Sequence, residues 1–240
     1  PPHYQKDPIF TWETSVLGMH NILRIADSHG AMVLHASTSE IYGDPLVHPQ
    51  PESYWGNVNP VGIRSCYDEG KRAAETLAQD YVRFKKADVR LFRIFNTYGE
   101  YMYPDDGRVI SNFCIAALKD APVPVYGDGS QTRSFCYASD LIAGILSLQK
   151  LPREKYDGPV NLGNPREFTI RELVGVLEKV TGKKLQVKNF PLPEDDPKVR
   201  RPVIEKAQRL LNWTPKVDLE EGLQKTLAYF SEEIKNAKSK

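Results

Sequence analysis

Residues 31–40 read Ala-Met-Val-Leu-His-Ala-Ser-Thr-Ser-Glu, a short apolar run followed by three hydroxyl groups and one carboxylate. An apolar run of this length is typical of a strand that is buried on both faces of a parallel sheet. In such folds, ligands bind at the carboxyl ends of the strands, which is where residues 37–40 are expected to lie. The stretch therefore predicts an α/β protein with polar chemistry at one end of a parallel sheet.

Helical and strand patterns alternate on both sides of this stretch, which is the signature of an α/β architecture. Before it, residues 9–28 form an amphipathic helix that Gly30 ends. After it, a proline-rich loop over 43–64 leads into a helix that continues to about Lys86, and Ser65 with Asp68 resembles a capping box at its start. The predicted apolar face of the first helix consists of Ile9, Trp12, Val16, Met19, Ile22, Leu23 and Ile25.

The rest of the chain continues the alternation. Thr169 is expected to cap a helix that ends near Val180. The other predicted elements are strands at 88–95, 123–126 and 159–162, an extended segment at 185–190, a charged loop at 195–202, and helices at 109–119, 139–149, 204–211 and 219–236.

The composition excludes several classes of protein. Lys and Arg number 32 against 31 Asp and Glu, and this balance argues against a nucleic-acid partner. No apolar stretch approaches the roughly 18 residues of a transmembrane helix. The three cysteines form no CxxC pair and the five histidines show no ligand spacing, so we expect neither a disulfide framework nor a metal. These features predict a soluble cytoplasmic protein of about 1.6 domains, at roughly 150 residues per domain.

A tyrosine and a lysine one helical turn apart indicate acid–base chemistry. In Tyr67-Asp-Glu-Gly-Lys71 the phenol and the ammonium share a helix face, and the ammonium is expected to lower the pKa of the phenol. The spacing alone is weak evidence, because Tyr81-Val-Arg-Phe-Lys85 matches it too. Only Tyr67 follows a loop and lies near the predicted strand end, so we assign the general base to Tyr67.

The expected nucleotide-binding glycine motif is not found in the sequence. None of the 16 glycines forms the GxGxxG turn that opens a doubly wound dinucleotide-binding fold. Two explanations remain open. Either the fold is of another kind, or its first βαβ units are absent from this chain.

Seven motifs together resemble one family. They are Ala36-Ser-Thr-Ser-Glu-Ile-Tyr-Gly-Asp-Pro45, Tyr67-Asp-Glu-Gly-Lys-Arg72, Arg93-Ile-Phe-Asn-Thr-Tyr-Gly99, Asp106-Gly-Arg-Val-Ile-Ser-Asn-Phe113, Tyr126-Gly-Asp-Gly-Ser-Gln-Thr-Arg-Ser-Phe135, Val160-Asn-Leu-Gly-Asn-Pro165 and Asp195-Asp-Pro-Lys-Val-Arg-Arg-Pro202. They resemble the UDP-glucuronate decarboxylases, or UDP-xylose synthases, of the extended short-chain dehydrogenase/reductases.

The resemblance implies a fold and a division of the chain. The fold would be a Rossmann-like doubly wound parallel sheet, whose N-terminal βαβ units precede residue 1, with a smaller α/β substrate-binding lobe. Residues 1–107 would form the C-terminal part of the NAD-binding domain. Residues 108–240 would mainly form the nucleotide-sugar lobe, with about 134–162 returning to the Rossmann domain. The 240 residues alone are then expected not to bind NAD tightly.

The resemblance also implies an NAD-dependent reaction on a UDP-sugar. UDP-glucuronate would be oxidised at C4, lose CO2 as a 4-keto acid, and be reduced again to UDP-xylose. The implied catalytic residues are Thr38, Ser39, Glu40, Tyr67, Lys71 and Arg200. The implied cofactor-binding residues are Ala36, Ser37, Thr38, Tyr67, Lys71, Thr97 and Arg108. The implied substrate-binding residues are Asn96, Val109, Asn112, Tyr126, Gln131, Arg133 and Arg200.

Two positions depart from the family pattern. Glu13 replaces a lysine of the first helix, and Glu100-Tyr101 replaces Pro-Arg after Gly99. Both changes bear on the recognition of the uronic carboxylate rather than on the redox chemistry. Three other functions therefore stay open: a sugar-nucleotide 4,6-dehydratase, a 4-epimerase, and a non-catalytic relic that binds nucleotides.

The resemblance finally predicts a homodimer and a location. The helices at 9–28 and 65–86 would pair across a twofold axis, through residues such as Trp12, Leu77, Tyr81 and Phe84. Alternatively, these side chains pack only within one subunit. The protein would act in the cytoplasm, or in the Golgi lumen if a membrane anchor precedes residue 1, as in some eukaryotic relatives.

Overall fold

The computed structural model describes residues 3–192, 197 and 199–238. Part of the charged loop predicted at 195–202 therefore lies outside the described residues. The helices are α1 (Pro8–His29), α2 (Ser65–Asp80), α3 (Val109–Leu118), α4 (Ala138–Lys150), α5 (Ile170–Thr181), α6 (Glu205–Leu211) and α7 (Leu219–Lys238). The strands are β1 (Val33–Thr38), β2 (Val89–Ile94), β3 (Thr97–Tyr98), β4 (Val123–Tyr126), β5 (Thr132–Ser134), β6 (Cys136–Tyr137), β7 (Val160–Leu162), β8 (Glu167–Thr169) and β9 (Val187–Phe190).

The central sheet is parallel and has the strand order β1-β2-β7. The β1–β2 register runs from Val33 opposite Val89 to Thr38 opposite Ile94, where Ile94 also pairs with Leu162 of β7. All three strands thus end at the same level, and the residues that follow them share one end of the sheet. The predicted α/β fold with a parallel sheet is confirmed, although β1 extends to Thr38, two residues beyond the predicted apolar run.

Helices α1 and α2 cover one face of this sheet. The buried face of α1 consists of Met19, Leu23 and Ala26. These residues pack against the sheet together with Ala74 and Ala78 of α2. The helix ends at Gly30, whose left-handed φ of 61° suits glycine, as predicted. The predicted apolar face was partly wrong, because four of its members are more than 40% exposed: Ile9, Trp12, Ile22 and Ile25.

The predicted capping box at the start of α2 does not form. The Ser65 hydroxyl donates a hydrogen bond to the carbonyl of Asn59, and the N-cap position is Arg64. Asp68 is instead buried. Both side chains therefore have surroundings other than those of a capping box. The α-helix also ends earlier than predicted, at Asp80, and continues as one π-type turn over Tyr81–Lys85.

A second core is built from α3, β4, α5 and α7, while α4 and α6 pack with β2 and β7 in a further one. Strand β4 pairs with β9 in parallel and β5 pairs with β8 in antiparallel fashion. Thr169 and Glu172 form the full capping box of α5, so the predicted cap is confirmed. The sequence patterns missed β3, β5, β6 and β8, which have only two or three residues and, unlike the equally short β7, are not buried throughout as part of the central sheet. No helix in the described ranges has the length and apolar character needed to cross a membrane.

A buried ionic network fastens the sheet to α2. Arg93 of β2 binds Glu75 of α2 through two hydrogen bonds of 3.0 and 2.8 Å. The Ser37 hydroxyl also donates to Glu75. Tyr42 accepts from Arg93 and donates to Asn161 of β7, which joins all three strands to one network. A buried pair of this kind depends on both partners, because either charge alone would be left without compensation.

We predict that Arg93→Met destabilises the fold strongly, because Glu75 would keep a buried charge without its cation. The free energy of unfolding in urea should fall by about 3–5 kcal/mol. The matched control is Arg83→Met, which removes the exposed ion pair with Asp80 and should change the value by less than about 1 kcal/mol. Equal losses in both variants would contradict this account of the network.

Candidate active site

The candidate site begins where β1 ends. The Thr38 hydroxyl accepts a hydrogen bond from the backbone N–H of Glu40 and starts a single 3₁₀ turn over Ser39–Tyr42. This turn places Ser39 and Glu40 at the carboxyl end of the sheet, where the sequence predicted them. Thr38 and Ser39 are both buried.

Glu40 lies between two arginines. Arg200 Nη1 is 2.5 Å from Glu40 Oε1, and Arg64 Nη2 is 2.7 Å from Glu40 Oε2. Arg200 is 2% exposed and also donates to the Ser39 hydroxyl at 2.9 Å and to the Gly43 carbonyl at 3.1 Å. The sequence predicted Glu40, Ser39 and Arg200 as site residues, and the structure brings all three into contact.

The two arginines keep Glu40 ionised. Burial alone would raise the pKa of Glu40, but the charges of Arg200 and Arg64 outweigh it and lower the pKa to about 2. Folding stability that comes from this group is therefore present above the ordinary pKa of 4.5 and is lost as the pH falls towards 2. At neutral pH Glu40 is a base or an electrostatic partner, and it carries no proton to donate.

Tyr67 and Lys71 lie beside the same strand end. The Lys71 ammonium is 5.9 Å from the centre of the Tyr67 ring and donates to the Ala36 carbonyl at 3.1 Å. The expected lowering of the Tyr67 pKa was wrong. Burial raises the pKa, a hydrogen bond with Thr38 opposes this, and the charge of Glu40 raises it further. Burial also lowers the pKa of Lys71, and the charge of Glu75 opposes this.

Tyr4 is a site residue that the sequence analysis missed. Its ring stacks on that of Tyr67, with centroids 4.9 Å apart and planes 12° from parallel. Its hydroxyl is buried and has no hydrogen-bond partner among the described residues. Thr11 of α1 fixes this segment by donating to the Tyr4 carbonyl. No local pattern marks Tyr4, since its importance comes only from the fold that brings it to Tyr67.

The other predicted cofactor-side residues divide into two groups. Ala36 contacts Lys71 through its carbonyl, and Arg108 donates to the Thr97 carbonyl and pairs with Asp106 at 2.7 Å. The charge of Arg108 also acts on Tyr67. Ser37 differs, because its side chain binds Glu75 in the buried network. Along a strand, neighbouring side chains alternate between faces, so Ser37 and Thr38 cannot serve the same site with their hydroxyls.

The predicted substrate-side residues lie at strand ends and helix starts. Asn96 follows β2, and its buried amide nitrogen has no hydrogen-bond partner within the described part of the chain. Val109 and Asn112 lie in the first turn of α3. Tyr126 ends β4, is 41% exposed, and accepts a hydrogen bond from Gln131 through its carbonyl. The charge of Arg133 contributes to the low pKa of Glu40, which places Arg133 near the central cluster.

The two departures from the family pattern have different surroundings. Glu13 is exposed on α1. Glu100 accepts a hydrogen bond from the Tyr137 hydroxyl, and Tyr101 adopts a left-handed backbone with φ of 66°. None of these three residues contacts Glu40 or Tyr67 in the hydrogen bonds and ion pairs of the described residues. The central cluster is therefore assembled without them.

A parallel sheet with a Thr38, Tyr67 and Lys71 cluster at its carboxyl end defines an extended short-chain dehydrogenase/reductase. A family model described as GDP-mannose 4,6 dehydratase matches residues 3–226, and the chain belongs to this family. It is 50% identical to UDP-glucuronic acid decarboxylase 1 of Danio rerio and 52% identical to UDP-glucuronic acid decarboxylase 1 of Arabidopsis thaliana. Each alignment covers 98% of this chain but only 56% and 54% of the relative, so the chain spans a little over half their length.

Solved structures agree with this assignment. UDP-glucose 4-epimerase from Thermotoga maritima, with UDP-glucose, has a TM-score of 0.89 at 25% identity, over 97% of this chain and 74% of that one. UDP-glucuronic acid 4-epimerase from Bacillus cereus, in complex with UDP-glucuronic acid and NAD, has a TM-score of 0.84 at 25% identity, over 92% and 68%. The predicted Rossmann-like class of the fold is thus confirmed.

We predict that Arg200→Met raises the pKa of Glu40. Burial raises this pKa, and Arg64 would then be the main charge left to lower it. Carbon-13 NMR of labelled glutamate carboxyls should show Glu40 titrating clearly above about 2 and towards 4.5. Arg209→Met is the control, since it removes a surface pair with Asp157. A Glu40 pKa that stays at about 2 in Arg200→Met would show that Arg200 does not set it.

Proposed function

We propose that this chain carries the catalytic site of a UDP-glucuronate decarboxylase that forms UDP-xylose. The observation that supports this most strongly is the ion-paired triad of Glu40, Arg64 and Arg200 beside Tyr67. A 4-epimerase that acts on a sugar without a carboxylate on C5 needs the tyrosine but has no use for a charged triad there. The decarboxylase relatives, at about half identity over almost the whole chain, point the same way.

The residues of this chain fit the nicotinamide half of NAD. Thr38, Tyr67 and Lys71 lie at the carboxyl end of the sheet, where dinucleotides bind in this kind of fold. The sequence contains no GxGxxG turn, which is the usual binding element for the diphosphate of the cofactor. When bound, NAD⁺ supplies one chemical function here, which is to accept a hydride from C4 of the sugar and to return it later.

The first step is oxidation at C4. Tyr67 acts as general base in its phenolate form, which Lys71 stabilises, and it becomes a phenol when it takes the proton of the 4-hydroxyl. Thr38, whose hydroxyl hydrogen-bonds with Tyr67, holds the C4 oxygen in line with the phenol. In the absence of ligands, burial raises the pKa of Tyr67 and so disfavours its phenolate form. Positive charge near the phenol must therefore increase when the site is filled, because a phenolate requires it.

The second step is the loss of CO2. The 4-keto sugar carries a carboxylate on C5, so it is a β-keto acid, and the electrons of the breaking bond pass into an enolate. The negative charge then develops on the C4 oxygen, which Thr38 and Tyr67 stabilise by hydrogen bonds. Arg200 positions the carboxylate, while Glu40 and Ser39 orient water near C5. Reduction at C4 completes UDP-xylose, with Tyr67 returning its proton.

The nucleotide half of the substrate would lie mainly on residues 108–240, with Asn96 contributing from the end of β2. Asn96, whose buried amide lacks a partner among the described residues, suits the diphosphate. The exposed ring of Tyr126, 5.7 Å from that of Phe190, offers a stacking surface for uracil. Val109, Asn112, Gln131 and Arg133 would complete this part of the site. In this division, residues 1–107 and about 134–162 serve the cofactor side.

The chain would act as a homodimer. On α1, Ile9, Phe10 and Leu17 are at least half exposed, and Phe84 after α2 is 80% exposed. Exposed apolar groups on two adjacent helices are suited to an isologous four-helix contact. Of the side chains predicted for this contact, Trp12 and Phe84 are exposed, whereas Leu77 and Tyr81 pack partly inside the subunit. The cytoplasm is the compartment we propose.

We predict that the natural protein carrying this chain converts UDP-glucuronate to UDP-xylose and CO2 when NAD⁺ is present. Tyr67→Phe should lower kcat about 10²–10⁴-fold, because it removes the general base. Tyr81→Phe is the matched control, since it alters the other tyrosine of a YxxxK pair, and it should keep the rate. The readouts are released CO2 and nucleotide-sugar chromatography. A UDP-hexose product that retains the carboxylate would instead identify an epimerase, and no turnover would favour the binding relic.

A further inference from the structure

Decarboxylation consumes a proton that the residues described so far do not supply. A carboxylate that leaves as CO2 leaves its electron pair on C5, and this pair must take up one H⁺ to form the C–H bond of the product. Glu40 is ionised between its two arginines. Tyr67 exchanges its proton with the 4-hydroxyl. A second proton-carrying group is therefore required near the cluster.

Asp68 is a buried carboxyl group next to the cluster. It follows Tyr67 in the first turn of α2 and is only 8% exposed. Its Oδ1 atom is buried and has no hydrogen-bond partner among the residues that the structure describes. An unpaired buried carboxylate is costly, so the protonated form is favoured. Burial, followed by the charge of Glu40, raises the pKa of Asp68 to about 7.

A cavity of about 180 Å³ lies beside Asp68. Its wall includes Arg64, which binds Glu40 directly, and Gly43, whose carbonyl accepts from Arg200. The cavity therefore touches the Glu40 cluster as well as Asp68. Its polar lining also includes Asp44, Asn57 and Ser65. A polar cavity of this volume has room for several hydrogen-bonded water molecules.

We propose that Asp68 and this cavity form the proton supply for C5. Asp68 gives its proton through water in the cavity to the electron pair that CO2 leaves behind, and the Asp68 carboxylate then regains a proton from solvent by the same route. One C–C bond breaks, one C–H bond forms, and the net proton comes from solvent. Asp68 acts through the cavity without touching the sugar. This role rests on the proposed decarboxylase function.

Several charged or titratable groups face Asp68 and set its proton affinity. They are Glu40 from the turn after β1, Arg64 and Glu69 at the start of α2, Arg200 from the C-terminal segment, Tyr4 from the N-terminal segment, Cys66 and Tyr67 beside it, and Asp44 across the cavity. Glu40 and Glu69 favour the protonated form, whereas Arg64 and Arg200 favour the ionised form. Glu40 and both arginines keep their charges near neutral pH. The protonation of Asp68 therefore controls the transfer of a proton to C5.

The test compares Asp68→Asn and Asp68→Glu with the control Asp80→Asn, which removes an exposed carboxyl at the other end of α2 and should leave both steps unchanged. For the unmodified protein, the rate of CO2 release should fall as the pH rises through about 7. In Asp68→Asn, CO2 release should fall about 10²-fold and lose this pH dependence, because no proton remains to be lost. C4 oxidation, followed by cofactor absorbance in a single turnover, should keep its rate.

Two further variants separate a proton route from a structural role. Asp68→Glu should restore most of the rate and the pH dependence. Val58→Phe, which fills the cavity and leaves Asp68 in place, should slow CO2 release but not C4 oxidation. The proposal is overturned if Asp68→Asn keeps the full rate and pH profile, or if it slows both steps equally. If the unmodified protein releases no CO2 at all, the proposed function itself fails, which is a separate result.

Discussion

The charge of Glu40, whose side chain is only 19% exposed, is the constraint on which the site depends. A carboxylate with so little access to water is stable only if cations compensate it, and both cations come from distant parts of the chain. Arg64 precedes α2, and Arg200 lies 160 residues beyond Glu40. The charge of Glu40 is therefore compensated only when these segments are packed together. The pairing also fixes the direction of each guanidinium before any ligand arrives, which is the preorganisation that electrostatic catalysis requires.

The position of Arg200 depends in turn on a short ladder of backbone contacts. Gln50 is fully buried, and its N–H donates to the Arg201 carbonyl while its side chain accepts from the Arg201 N–H. The Val203 N–H donates to the Gln50 carbonyl. The loop after β1 thus holds the C-terminal segment against the end of the sheet. On the other side of the same strand end, Arg93 and Glu75 hold β1, β2 and α2 together, so two separate ionic networks flank the reacting groups.

Much of this arrangement could be predicted from the sequence. The apolar runs at 31–36 and 88–95 indicated parallel strands, and the residues after the first run lie at the common carboxyl end. The choice of Tyr67 over Tyr81 followed from its place after a loop. What failed depends on tertiary contacts. Ser65 and Asp68 did not form a capping box, since the fold takes Ser65 to Asn59 and buries Asp68. Tyr4 and Arg64 carry no local signal.

The direction of the Tyr67 pKa failed for a related reason. The spacing along the helix predicted that a lysine lies one turn from the phenol. It could not predict that the ring is buried or that carboxylates lie around it. The same burial that stabilises the fold therefore sets the proton chemistry of the site. The charges of Arg200 and Arg64 lower the pKa of Glu40 to about 2, whereas burial and the charge of Glu40 raise the pKa of Asp68 to about 7. Two carboxyls in one cluster thus differ in proton affinity because their neighbours differ.

We propose that Glu40 neutralises the charges of Arg64 and Arg200. These cations can then position the substrate carboxylate without preventing it from leaving as CO2. The most direct test is Glu40→Gln with UDP-glucuronate, in which C4 oxidation and CO2 release are measured separately. Without the Glu40 charge, the two arginines should hold the substrate carboxylate too strongly. We predict that the 4-keto sugar accumulates, that CO2 release falls by about 10²-fold or more, and that KM decreases. An equal loss of both steps, with KM unchanged, would contradict this account.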